Sequence, residues 1–167
     1  MPRLLGVEMS GGKLALRVVL AVVFGSLAAL FLAYLPSAAG SFAKQAAGTA
    51  NAAAVESIVN ALINPSLPAV GAVVAALVFL GFLLRGTKVY GPILMVLGLA
   101  LLAYVYLAFQ GGTIGLTIPQ GLQYAASGSV SIGVSTLMLL FMVAPLLTLV
   151  KGLVLTVMKS GESPPVA

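Results

Sequence analysis

Long uncharged runs dominate this chain. Residues 18–43, 57–84 and 89–150 carry no Lys, Arg, Asp or Glu, and each run can hold at least one bilayer-crossing helix, which needs about 20 mostly apolar residues. The pattern resolves into four apolar spans, at 14–35, 68–84, 90–109 and 132–158. The second is short by itself and is lengthened by the Ala-rich stretch before it. In that stretch Val55, Ile58, Val59, Leu62 and Ile63 recur at spacings that place them on one helical face. A helix over 50–63 follows, lying on a surface or leading into the next span. Asn64-Pro65 and Leu67-Pro68 break it, because proline lacks a backbone donor and disfavours helical geometry in the residue before it. A bent, bipartite helix is expected near Pro65 and Pro68.

The connectors differ in character. Between the second and third spans lies Arg85-Gly86-Thr87-Lys88, two cations around Gly-Thr, followed by Gly91-Pro92; so short a link makes a helical hairpin. The next connector, 110–131, is uncharged and holds five Gly, and the run Thr113, Ile114, Gly115, Leu116, Thr117, Ile118 is fit for a small extended segment. Pro145 interrupts the fourth span and should kink it. The tail 160–167, with its Pro-Pro pair, is expected to be disordered in isolation.

Composition decides the solvent. Of the 167 residues 61% are hydrophobic and 7% charged, against roughly 25% charged in a soluble domain. Eight Lys or Arg and three Glu cannot coat a globule of this size, so most of the surface must face lipid or other copies of the chain. The fold class predicted is all-α and membrane-type, with three to four long apolar helices in hairpins. Alternating sides along four spans puts Arg3, Lys13, Arg17, Arg85, Lys88, Lys151 and Lys159 near one face and Lys44 on the other. By the positive-inside rule both termini and the Arg85/Lys88 turn are cytoplasmic at insertion, with Lys151 snorkelling from within the last span. A second reading of the first span is a cleavable leader, with a basic start, an apolar core and the small residues of 36–41 as a peptidase site; the reading carried forward retains the span.

The inventory excludes much chemistry. With no His, no Cys and no Asp, there is no Ser/His/Asp triad, zinc site or disulfide to build, and three scattered Glu are a poor basis for paired acid/base work. No catalytic or metal-ligating residue is assigned, and an enzyme is not expected. Intramembrane acids, the mark of proton relays, are missing from the spans, since Glu56 lies opposite the apolar stripe of its helix. Gly71 with Ala75, Ala72 with Ala76, Gly91 with Gly98 and Gly25 with Ala29 stand at helix-packing distances, as does Gly81 near the end of its span; such residues let helices approach closely in lipid. Arg85 and Lys88 serve first as topology determinants, and secondly as groups able to engage phosphates.

The run from Ala53 through Val55-Glu56-Ser57-Ile58 to Asn64-Pro65, then a small-residue apolar helix ending Gly81-Phe82-Leu83-Leu84, the basic turn Arg85-Gly86-Thr87-Lys88 and a second apolar helix from Gly91 to Phe109, resembles conjugative pilins of the type IV secretion class over roughly residues 50–111. Archaeal DNA-import machines look like relatives of that system, and the Cys-, His- and Trp-free composition would suit a hyperthermophile. The resemblance implies a hairpin that waits in the cell membrane with its basic turn cytoplasmic. It is then extracted by a secretion or import machinery with an ATPase. It polymerises into a hollow extracellular pilus, a helical homo-oligomer through which DNA passes without sequence-specific binding. Each subunit would carry a phospholipid, with Arg85, Thr87 and Lys88 facing the lumen and the lipid heads. The chain then divides into an N-terminal apolar span or leader (1–40), a pilin-like hairpin (41–111), an uncharged Gly-rich loop (112–131), a C-terminal apolar helix (132–159) and a tail (160–167). That fourth helix and a retained first span depart from the family pattern. The rival reading is a resident four-span membrane protein, a subunit of a larger complex or a holin-like pore former.

Overall fold

A computed structural model describes residues 3–4, 7–8, 11–118 and 128–160. The chain runs β1 (Arg3–Leu4), β2 (Val7–Glu8), α1 (Gly11–Ala29), a π-helical turn (Leu30–Tyr34), α2 (Leu35–Leu62), α3 (Leu67–Leu83), α4 (Tyr90–Ala108), a short 3-10 turn (Gln110–Gly112), β3 (Thr113–Ile118), β4 (Gly128–Gly133) and α5 (Ser135–Ser160). The helical, membrane-type fold expected from the hydropathy pattern is the one observed. Among the described residues three helices are long and apolar enough to cross a bilayer: the one from Gly11 to Ala46, α4, and α5 up to Met158; α3 is a shorter apolar helix. At 1.5 Å per residue, α4 spans about 28 Å and α3 about 26 Å, close to the ~30 Å hydrocarbon core.

α1, α3, α4 and α5 stand in a row, each antiparallel to the next. Gly25 of α1 meets Phe79 of α3, and Gly71 of α3 meets Leu32 in the π turn. Gly91, Gly98 and Gly112 meet Thr156, Leu149 and Ser135 in turn, so α4 and α5 run in opposite directions along their whole length. The core is thin, as suits helices that share their surface with lipid: Val74, Leu94 and Leu97 are buried together, with Leu32, Leu77, Tyr104 and Leu155 around them. The outward faces of the two edge helices stay uncovered. Leu16, Val19 and Phe31 on the first helix, and Leu140, Leu147, Val157 and Met158 on α5, are exposed. In water such faces would aggregate; in hydrocarbon they are the solvated surface. Membrane location is the reading this surface supports.

Two boundaries differ from the sequence expectation. The first helix does not stop at residue 35 but continues through the small-residue stretch 36–41, where Ser37 and Ser41 hydroxyls donate to the carbonyls of Tyr34 and Ala38 at 2.7 Å each. Further on, α2 doubles back. Lys44 Nζ lies 2.7 Å from Glu56 Oε2, while twelve residues of straight helix would separate them by about 18 Å, beyond the reach of both side chains. Pro36, Ser37 and Gly40 likewise line one cavity with Val59, Ile63 and Asn64. The reversal therefore falls between Lys44 and Glu56, upstream of the prolines. At Pro65 and Pro68 the chain makes a full break rather than a bend: α2 ends at Leu62, Asn64 Oδ1 accepts from the Ser66 amide at 2.9 Å, and α3 starts at Leu67 with Pro68 in its first turn, where no donor is needed.

The extended segment expected at Thr113–Ile118 is present as β3, paired in antiparallel register with β4 from Thr113↔Gly133 to Ile118↔Gly128. The strand β4 takes Ile132 from the start of the expected fourth span, and α5 begins at Ser135. The helix then runs through Pro145 without interruption. The tail expected to be disordered lies, from residue 161 on, outside the described residues.

Candidate functional site

The antiparallel row gathers the cations. The start of α1, the α3–α4 turn and the C-terminal half of α5 share one end, which brings Lys13, Arg17, Arg85, Lys88 and Lys151 together. At the other end, among the described side chains, stand Lys44 and Glu56, paired with each other. The one-sided charge distribution inferred from the sequence is thus also a spatial cluster. It raises the local potential toward anions.

The turn itself is built on Thr87. Its amide and its hydroxyl both donate to the Leu84 carbonyl, at 3.1 and 2.7 Å, and its carbonyl accepts from the Tyr90 amide at 3.3 Å. Gly86 sits at φ +86°, a left-handed conformation that favours glycine, with Arg17 Nη2 3.3 Å from where a Cβ would stand. Arg85 and Lys88 emerge on the exposed side. Thr87 does not: it is fully buried, so its expected place beside Arg85 and Lys88 facing lipid heads is replaced by an inward, structural one. Its hydroxyl is used by the turn.

Two half-open cavities flank Phe82, which is held by stacking on Phe24 of α1, with ring centroids 4.7 Å apart and planes 5° from parallel. The first, about 220 Å³, is lined by Val78, Gly81, Tyr90 and Leu94 with Arg85 and Lys151. The second, about 270 Å³, is lined by Leu16 and Leu20 with Lys13, Arg17 and Arg85. Arg85 and Phe82 belong to both. Among the described residues, Arg17 Nη1 is buried with no hydrogen-bond partner. Guanidinium N–H groups are obligate donors, and an unmet one is costly. Among the described residues no cluster of metal-ligating side chains occurs.

The small residues divide by role. A Cβ on Gly71 would collide with the Leu32 carbonyl; on Gly91 it would fall 2.9 Å from the Thr156 amide; on Gly98 it would fall 2.8 Å from the Leu149 Cβ and amide. These three mark true helix seams, and Ala75 is buried between α1 and α3. Gly81, expected in the same role, has no atom within 4 Å of its Cβ position and faces the first cavity instead. Sequence reasoning missed Gly152, whose Cβ position lies 2.6 Å from the Met95 amide. It also missed Gln110, whose Nε2 donates to the Ala61 and Leu62 carbonyls at 2.7 and 3.0 Å and ties the end of α2 to the end of α4. Arg17 and Lys151 entered the sequence reading only as topology charges, and it is the fold that sets them beside Arg85.

Comparison with protein-family models, with curated proteins and with solved structures finds no match to this chain.

Proposed function

We propose that this chain is a membrane-inserted structural subunit that polymerises, with bound lipid, into a hollow conjugation-type pilus for DNA transfer or import. The observation that carries the reading is the α3–Arg85-Gly86-Thr87-Lys88–α4 unit, two apolar helices of near-spanning length joined by a tight turn whose exposed residues are cations. In the cell membrane this turn would stand on the cytoplasmic side. After extraction by a secretion-type ATPase machinery, Arg85 and Lys88 would face lipid heads around a lumen. Archaeal origin and an extracellular filament belong to the same proposal, and no catalytic step is assigned. Filament packing would replace lipid contact on the exposed faces of α1 and α5 by neighbouring copies and retained lipid.

A second reading, a resident four-span subunit or pore former, is favoured by the α4–α5 seam. Gly91, Gly98 and Gly152 let these helices approach until backbone meets backbone, which welds the hairpin to a helix that pilins of the family lack. One experiment separates the two. Filaments sheared from producing cells and purified should contain this chain with lipid at a fixed molar ratio; recovery of the chain only in the membrane fraction would overturn the filament reading in favour of the resident one. The mass of the mature chain in the same sample shows whether the first span is retained.

A further inference from the structure

We propose that α1 is held to α3 by its own packing rather than by the peptide chain that follows it. A chain cut within 36–41, where the small residues of a peptidase site stand, therefore keeps its first span as a noncovalent helix of a two-piece protein. The inference goes beyond the pilus and resident readings and holds under either. It replaces the choice between a removed leader and an uncut span by a third state, cut and retained.

The seam between α1 and α3 is antiparallel and runs through most of the bilayer. At one end Arg17 Nη2 lies 3.3 Å from the Cβ position of Gly86. In the middle Phe24 stacks on Phe82 with centroids 4.7 Å apart, and the Cβ position of Gly25 is 3.0 Å from the Phe79 Cβ. At the other end Gly71 abuts the Leu32 carbonyl. From Arg17 to Leu32 the helix advances about 22 Å, and every one of these contacts lies before residue 36. Ala21 of α1 and Val74 of α3 are fully buried. Van der Waals packing is the main attraction between helices in lipid, so a seam of this length needs no covalent tether.

The chain beyond the cut is anchored independently. Lys44 pairs with Glu56 across the α2 reversal, and both stay on the second piece. Gln110 Nε2 donates to the Ala61 and Leu62 carbonyls at 2.7 and 3.0 Å, and α2 packs on β3. The stretch 36–41 itself contributes little to holding the pieces. The Ser37 and Ser41 hydroxyls serve carbonyls of their own helix, and Pro36, Ser37 and Gly40 border a half-open cavity of about 370 Å³ rather than a close seam. Backbone so placed opens locally without unfolding the rest.

The full chain carrying a recognition site for a sequence-specific protease between Gly40 and Ser41 tests this. After complete cutting in dodecyl maltoside, checked on a denaturing gel, native mass spectrometry should find residues 1–40 and 41–167 in one particle at a one-to-one ratio. Gly25→Leu, which drives a side chain into Phe79, should hasten loss of the first piece by at least about tenfold. Phe24→Ala, which removes the stack alone, should shorten retention as well, so the proposal stays testable if Gly25→Leu does not fold. Gly98→Ala loosens the α4–α5 seam instead and should leave the first piece bound. Departure of residues 1–40 from the cut, unsubstituted chain would overturn the proposal. So would unchanged retention in both Gly25→Leu and Phe24→Ala, or loss of the first piece from Gly98→Ala as fast as from Gly25→Leu. The filament reading is judged separately: a first piece retained by a chain found only in the membrane fraction would sink the pilus reading and leave this one standing.

Discussion

Replacing Gly152 by Ala adds one methyl at the tightest point of the α4–α5 seam. The new carbon would stand 2.6 Å from the Met95 amide nitrogen and 2.9 Å from the Gly91 carbonyl oxygen, both backbone atoms. Backbone inside two long helices cannot step aside, so α4 and α5 must separate by roughly 0.5–0.8 Å to restore ordinary contact. A gap of that size forfeits about a quarter to a half of each dispersion contact along the seam. In lipid that matters more than in water, because van der Waals packing is the main attraction between helices there. Overpacking of this kind costs about 1–3 kcal/mol, offset by up to ~1 kcal/mol from replacing Gly in a helix. The net expectation is a loss of about 1–2 kcal/mol, or a fall in Tm of roughly 2–8 °C for a chain of this size. Thermal unfolding of the purified chain in dodecyl maltoside, followed by far-UV circular dichroism, reads it. Gly81→Ala is the matched control, since it carries the same propensity gain with no atom within 4 Å of the added methyl. If Gly152→Ala melts at or above the unmodified chain while Gly81→Ala behaves alike, the close approach of α4 and α5 is wrong.

Gly71→Ala should be more severe than Gly152→Ala, because its methyl would collide with the Leu32 carbonyl in the π turn; a single-cysteine pair across α1 and α3, introduced into this Cys-free chain, should lose its cross-linking yield. Thr87→Val removes a hydroxyl donated to Leu84 from a fully buried position and should cost about 1–3 kcal/mol, read as a lowered Tm with insertion unchanged. Lys44→Ala should cost less than the ~1 kcal/mol that bounds most exposed pairs, since both partners are about half exposed, at 51% and 42%; a large drop in Tm would show that the pair anchors the α2 reversal. Replacing Arg85 and Lys88 together by Glu should invert the α3–α4 hairpin or abolish insertion, and an unchanged accessibility pattern of cysteines placed at residues 86 and 111 would refute the topology.

The spans were legible because hydropathy over about 20 residues is a property of composition, and lipid asks for little else. The same reason hides the rest. Nothing in the residues around Lys44 and Glu56 signals a chain reversal by proline or charge, so α2 read as a helix beginning near residue 50, and it is the ion pair and the shared cavity across the bend that reveal its path. Gly91 and Gly98 could be picked out by spacing, but Gly152 stands alone in α5 and acquires meaning only opposite Met95. Gly81 looked like the others because a sequence does not distinguish a glycine that admits a backbone from one that opens a cavity. For the candidate site, the sign and side of the charges were readable; the company of Arg17, Arg85 and Lys151 was not, because it depends on α1 and α5 both turning their ends toward the α3–α4 turn.

The row arrangement also constrains how such a subunit could leave a membrane. The α3–α4 hairpin has no free edge of its own: α1 covers it on one side through Ala21, Gly25 and Gly71, and α5 on the other through Gly98 and Gly152, while Val73 of α3 and Val96, Leu99 and Tyr106 of α4 stay exposed on the faces of the row. Extraction of the hairpin by itself would open both seams and strand their close-packed small residues, which bury well only against a backbone. The four helices would therefore move as one body, with the exposed surfaces of α1 and α5 as the faces to be covered next. Those faces are Leu, Val and Phe on long, regular helices, so the cover they require is apolar and extended, as another copy of the chain or a layer of lipid is. Disulfide cross-linking between α3 and α4 and both flanking helices should consequently leave assembly intact, whereas a bulky polar side chain at Leu140 or Leu147 on the outer face of α5 should block it; the reverse outcome would mean that the helices part company before assembly.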